Sequence, residues 1–179
     1  MARVLLVSED LIKTETGLND NCWGKYMLPA IKRSQDIDLC SIIGQNLLDE
    51  LYYRVLNNQI SGDYQTLLED YCQPYLIRRT IVNIIPLLAV KIGNIGIVTA
   101  NDEHVVTLSQ GEVDLLQSNY SYESNWYARR LQEYLLQNKD TFGLDDCACN
   151  TIKANLDSAA DCPIWLGGTR GKIISGGCC

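Results

Sequence analysis

This sequence predicts a mainly α fold: a helical bundle of about four main helices, with a small β-hairpin and an extended C-terminal tail. Three observations predict it. Apolar and aromatic residues recur at three- and four-residue steps from about Leu18 to about Asn138. Helix punctuation stands between the periodic stretches, at Ser8, Gly44, Gly62-Asp63 and Ser109. A single histidine, His104, occurs in 179 residues. A chain that spends its length on stiff helices and holds so few general acids, bases or nucleophiles is built to touch other molecules rather than transform them. No catalytic residue is expected.

Each element has its own local cause. Ser8 caps a short helix whose first turn carries Glu9 and Asp10, where negative charge suits the helix dipole. From Asp20, the residues Trp23, Met27, Ile31, Ser34 and Ile37 or Asp38 fall at helical steps. The pattern reaches Ile42 and Ile43 before Gly44 offers a left-handed stop, and Pro29 marks a place for a bend. Leu47, Leu48, Leu51, Tyr52 and Val55 form the stripe of a second, shorter helix closed by Asn57 and Asn58. Asp63 is the expected N-cap of a third helix, whose Tyr64, Leu67, Leu68, Tyr71, Tyr75, Arg78, Ile81, Ile84 and Ile85 lead toward Ile92. Pro74 and Pro86 each remove a backbone bond, so that helix should bend or break at least once.

Beyond it, β-branched Ile95, Ile97, Val98, Val105 and Val106 flank Asn101-Asp102, which predicts a hairpin turning there. Ser109 and Glu112 have the spacing of a capping box. The helix they open carries Leu115, Leu116, Tyr120, Trp126 or Tyr127, Arg130, Leu131, Tyr134 and Leu135 on its packing stripe, and is about 45 Å long if it reaches Asn138. After Lys139 the composition turns to Asp, Asn, Cys, Ala and Gly, ending IWLGGTRGKIISGGCC. The division expected is therefore a helical body, residues 1–138, and a C-terminal extension, residues 139–179. In the extension, Ile164–Leu166 and Lys172–Ile174 are short apolar segments able to add a strand to another surface.

Charge and length narrow the functions further. Fifteen Lys and Arg stand against 22 Asp and Glu, a net charge of −7 with an isoelectric point near 4.6. That balance repels a phosphate backbone rather than gripping it. The opening MARVLLVSED turns acidic too soon for a signal peptide. The stretch TIVNIIPLLAVKIG falls short of the roughly 20 apolar residues of a membrane span, so no membrane association is expected. Of the eight cysteines, Cys22, Cys40 and Cys72 fall on apolar helical faces and read as reduced, buried, small hydrophobes.

Several motifs look chemical. Cys147, Cys149, Cys162, Cys178 and Cys179 supply thiols, but a C-x-C pair with no nearby histidine departs from the paired spacing of structural zinc sites. No metal and no cofactor are expected. The terminal Gly-Gly-Cys-Cys resembles the doubly prenylated end of Rab-type GTPases over those four residues alone. A phosphate-binding loop is missing from the body, and GGTRGK has one residue too few and Ile173 where a hydroxyl belongs. His104 reads as a solvated loop residue beside Asp102 and Glu103. Arg78, Arg79, Arg129 and Arg130 read as exposed faces or structural ion pairs, and the ten tyrosines as amphipathic packing residues, some at interfaces.

The strings LPAIKRSQDIDLCSIIGQNLLDELYYRVLNN, ISGDYQTLLEDYCQPYLIRRT and IIPLLAVKI resemble a family of small virion proteins of crAss-like and related tailed bacteriophages, the head-to-tail connector or adaptor proteins. The features that carry the likeness are the helix ending Ile42-Ile43-Gly44, the Leu47-Leu48-x-x-Leu51 start of the next, the Gly62-Asp63-Tyr64 turn and Pro74 within the third helix. It spans about Ser8 to Asn138. The resemblance implies a non-enzymatic subunit of a homo-oligomeric ring, commonly a dodecamer, at the head-tail junction of the virion and assembled in the host bacterial cytoplasm. Its implied partners are the portal protein and other tail or ring proteins, with DNA passing through the lumen without specific binding. A C-terminal extension in such proteins often docks on the portal or a neighbour; here that docking is inferred from position and composition. Trp165, Leu166, Ile173 and Ile174 are the expected anchors, because aromatic and aliphatic residues dominate interface hot spots and strand pockets. The competing expectation is a cytoplasmic helical protein whose C-terminal cysteines form a zinc or redox site, recognisable by bound zinc that is lost on replacing Cys147 and Cys149.

Overall fold

The computed structural model describes residues 4–16, 24–93, 96–99, 109–144 and residue 152. Helix α1 (Glu9–Thr16) starts at Ser8, whose hydroxyl accepts the Leu11 N–H at 3.1 Å. Helix α2 (Gly24–Arg33) runs into a π-helical segment (Ser34–Leu39) and then α3 (Cys40–Ile43). Gly44, at φ 81°, ends that run and starts α4 (Gln45–Leu56). Helix α5 (Asp63–Thr66), a second π-helical segment (Leu67–Cys72) and α6 (Gln73–Ala89) form the third run, and α7 (Gln110–Gln137) the last. Four long helical runs thus make up the body. Between α6 and α7, β1 (Val90–Gly93) pairs antiparallel with β2 (Gly96–Thr99).

Several expectations shift for identifiable reasons. Asp63 is not the cap but the first helical residue. Gly62 takes the cap position at φ 58°, a left-handed conformation that glycine adopts without strain, and its carbonyl accepts the N–H groups of Gln65 and Thr66. The third helix stops at Ala89 rather than near Ile92, because Val90–Gly93 is drawn into the strand ladder. Of the hairpin expected to turn at Asn101-Asp102, Ile97 and Val98 are described and pair instead with Ile92 and Lys91, while the expected turn, Val105 and Val106 lie outside the described residues.

The two π-helical segments explain how prolines and polar residues fit inside long helices. A π turn widens the backbone by one residue per turn and rotates the succeeding residues about the helix axis. In the first, the rotation resolves an ambiguity in the apolar pattern: Asp38 turns toward α6, while Ile37 is 62% exposed. The second ends two residues before Pro74, whose ring would crowd the carbonyl four positions back in an α-helix. Pro86 instead sits within α6 and leaves the Val82 carbonyl without its helical donor. Gln117 of α7 supplies one, its Nε2 donating to Val82 O at 3.3 Å.

Helices α6 and α7 pack antiparallel, bridged by Arg78 and Glu123 (3.0 Å), and beyond the start of α6 the second π-helical segment continues the contact with Tyr71 stacked on Tyr134. Ile31, Leu51, Leu76, Ile84, Leu131 and Leu135 are among the fully buried residues around which α2, α4, α6 and α7 close. Phe142 and Ile152 join this core, so the packed body continues past the expected boundary at residue 138.

The capping box of α7 forms as its spacing predicts. Ser109 Oγ accepts the Glu112 N–H at 3.4 Å, and Glu112 Oε2 accepts the Ser109 N–H at 2.8 Å. Hydrogen bonds from the Ser109 hydroxyl and N–H hold the Glu112 carboxyl below its ordinary range. The contribution of this pair is therefore present at neutral pH and lost as the solution is acidified through that carboxyl's titration. Ser109→Ala should lower unfolding stability by about 1 kcal/mol at pH 7, with a smaller difference at acidic pH, as read from denaturant titrations of both proteins.

Candidate interaction surfaces

A polar network inside the bundle fixes the angle between the first π-helical segment and α6. Asp38 accepts from Arg79 Nη2 at 2.9 Å and from Asn83 Nδ2 at 2.8 Å. Ser34 Oγ accepts from Asn83 at 2.9 Å and donates to the Ala30 carbonyl at 2.9 Å. Ser34, Thr80 and Asn83 are buried. The hydrogen bond to Asp38 pushes the Arg79 guanidinium pKa still further up, so the pair stays charged at every pH at which the carboxylate is ionised. A second network ties the N-terminal segment down. Buried Gln35 accepts the Leu6 N–H at 2.8 Å and donates to Tyr52 Oη at 3.2 Å, and Gln73 donates to the Leu6 carbonyl at 3.0 Å. These groups satisfy one another in fixed geometry, an arrangement that holds helices at set angles.

Aromatic contacts stiffen the end of the bundle away from the hairpin. Tyr71 and Tyr134 stack with centroids 4.0 Å apart, and the Arg130 guanidinium lies 4.8 Å over Tyr71. Tyr64 meets Phe142 edge-on at 5.4 Å and carries Arg54 over its face at 3.9 Å. Two clefts of about 290 Å³ open beside these contacts. One is lined by Glu15, Glu69, Ile77, Arg78, Tyr127 and Arg130. Its cations are already engaged: Arg78 with Glu123 and the Glu15 carbonyl, Arg130 with Tyr71. The other lies between Gly44–Leu47, Tyr64 and Phe142–Leu144. Neither places a nucleophile beside a base.

The outer face of α7 differs from the pattern read in its sequence. Leu131 and Leu135 are buried, but Leu115 and Leu116, expected on the same packing stripe, point outward, and of the alternatives Trp126 and Tyr127 it is Tyr127 that packs against the core. Leu115, Tyr122 and Trp126 are 63%, 75% and 54% exposed. Steps of seven and four residues keep the three within about 40° of one line along the helix, over about 16 Å. From Gln110 to Trp126 the helix carries Glu112, Asp114 and Glu123 and no Lys or Arg. The result is an aligned apolar strip with acidic flanks, on a helix whose opposite face is locked to α6. Aligned exposed aromatics of this kind mark interaction surfaces. Residue spacing alone could not have separated this strip from the buried stripe, because both repeat with the same helical period.

The anchors Trp165, Leu166, Ile173 and Ile174 lie outside the described residues, as do His104, Cys22 and the five C-terminal cysteines. Of the two cysteines described, Cys72 is fully buried, and desolvation pushes its thiol up to about 12; it is a core residue at neutral pH. Cys40 is only partly buried, its sulfur 3.2 Å from Gln45 Oε1, where full burial was expected. Among the described residues no cluster of His, Cys, Asp and Glu could hold a metal ion, and no helix is long and apolar enough to cross a membrane.

Residues 40–154, more than half of the chain, match a family of unknown function, DUF6712. No curated protein and no solved structure matches the chain.

Proposed function

We propose that this chain, which belongs to the DUF6712 family of unknown function, is a structural subunit of a bacteriophage virion, non-enzymatic, forming a ring between portal and tail. The observation that carries this reading is the exposed Leu115–Tyr122–Trp126 strip on a 28-residue helix held rigidly against α6. A contact repeated from copy to copy closes into a ring only if each subunit holds the same angle. Packed helices cross-linked by buried polar networks hold an angle better than loops do. The net charge of −7 suits a ring through which DNA slides, since phosphate contacts supply most nonspecific affinity and an acidic wall withholds them. The resemblance to head-to-tail connector proteins supplies the rest of the reading: about twelve copies, the portal protein and tail or ring proteins as neighbours, and assembly in the bacterial cytoplasm before incorporation at the head-tail junction.

Native mass measurement of the purified full chain tests it. The expected result is a closed oligomer of many 20.1 kDa copies, alone or on addition of the portal protein. A chain that stays a protomer at all concentrations, binds no portal protein and is missing from virions would overturn the proposal.

A further inference from the structure

We infer that the Leu115–Tyr122–Trp126 strip of one copy is the seat for residues 164–174 of a neighbouring copy; this rests on the ring reading and supplies its latch. Three observations converge. The strip is apolar, aligned and open, and a segment carrying Ile164, Trp165, Leu166, Ile173 and Ile174 offers matching apolar side chains. The charges are complementary: the strip is flanked by Glu112 and Asp114 with no cation from Gln110 to Trp126, Glu123 being engaged by Arg78, whereas residues 164–174 hold Arg170 and Lys172 and no carboxylate. The reach is sufficient. Ile152 is buried in the core, and the twelve residues from 153 to 164 span up to about 40 Å when extended.

The seat is a helix face, which offers side chains rather than unpaired backbone groups. Recognition therefore rests on Trp165 and the flanking aliphatics against Leu115, Tyr122 and Trp126, with Arg170 and Lys172 beside the carboxylates. Aromatic residues at the centre of a contact dominate its energy, and rim charges set its salt dependence. Seating the segment on the next copy rather than on its own chain makes each contact head-to-tail, the arrangement that closes rings.

The test uses the full chain with a photoreactive benzoylphenylalanine at position 165, prepared unlabelled and ¹⁵N-labelled and mixed before assembly. Irradiation should give adducts joining a labelled to an unlabelled chain, with position 165 attached within residues 110–126. The double variant Tyr122→Asp, Trp126→Asp should keep the helical circular dichroism of the parent, because both side chains are exposed, and assemble at least tenfold more weakly. Adducts confined within single chains, adducts landing elsewhere on the neighbour, or unchanged assembly of the double variant would overturn the inference. A stable ring whose adducts land elsewhere removes the latch and leaves the ring reading standing. A protomer with no mixed-label adducts removes both.

Discussion

Removing residues 164–179 leaves a folded, helical protomer that no longer assembles. Among the described residues the buried apolar cluster runs from Leu6 to Ile152 and α7 ends at residue 137, so the body is expected to fold without this segment. The truncated protein should match the full chain in helical signal and unfolding midpoint. Assembly should respond quite differently. Burying a large apolar side chain stabilises an interface by about 1.5–3 kcal/mol, and the deletion removes Trp165, Leu166, Ile173 and Ile174, the proposed anchors, from every junction of the proposed ring together. Sedimentation velocity checks both halves, and the expected result is a single slow species in place of the ring proposed for the full chain. A truncated chain that still forms the ring, or still enters virions, shows that the helical body alone carries assembly.

Replacing Asp38 by alanine destabilises the body by about 2–3 kcal/mol. The carboxylate accepts hydrogen bonds from both Arg79 and Asn83, and its removal strands a half-buried guanidinium whose Nε already lacks a partner and leaves the buried Asn83 amide with Ser34 as its remaining acceptor. Removing one member of a buried pair costs more than the pair contributes, since the survivor keeps its desolvation penalty; partial exposure of Arg79 holds the figure below the fully buried limit. Denaturant titration should show a lower midpoint at unchanged slope. In a double-mutant cycle with Arg79→Ala, the two losses should sum to more than the loss in the double variant. If they are strictly additive, the network does not act as a unit, and the rigidity argued for the α2–α6 angle loses its basis. On the proposed ring reading that angle sets how copies meet, so Asp38→Ala should also broaden the distribution of oligomer sizes.

Much of the architecture was legible in residue order because it depends on local chemistry. The Ser8 cap, the Gly44 stop, the closing Asn57-Asn58 pair and the Ser109–Glu112 box are each settled by a hydroxyl, a carboxylate or a left-handed backbone acting within four residues. Where neighbouring residues compete for one role, spacing was less decisive. Gly62 rather than Asp63 became the cap because its positive φ lets the carbonyl turn into the helix.

What the amino-acid order determined by itself is that this chain folds into long amphipathic helices, carries a net negative charge and sets short apolar runs among glycines at residues 164–174. Only the tertiary structure decided which apolar residues are covered. Helical periodicity places Leu115, Trp126, Leu131 and Leu135 on plausible stripes, but a face is buried only if another element reaches it, and in the folded chain Leu131 and Leu135 are covered while Leu115 and Trp126 stay in solvent. The same holds for Ser34 and Asp38, ordinary surface residues by composition. A single widened turn rotates them onto Arg79 and Asn83, a juxtaposition across more than forty residues of chain that no local rule contains.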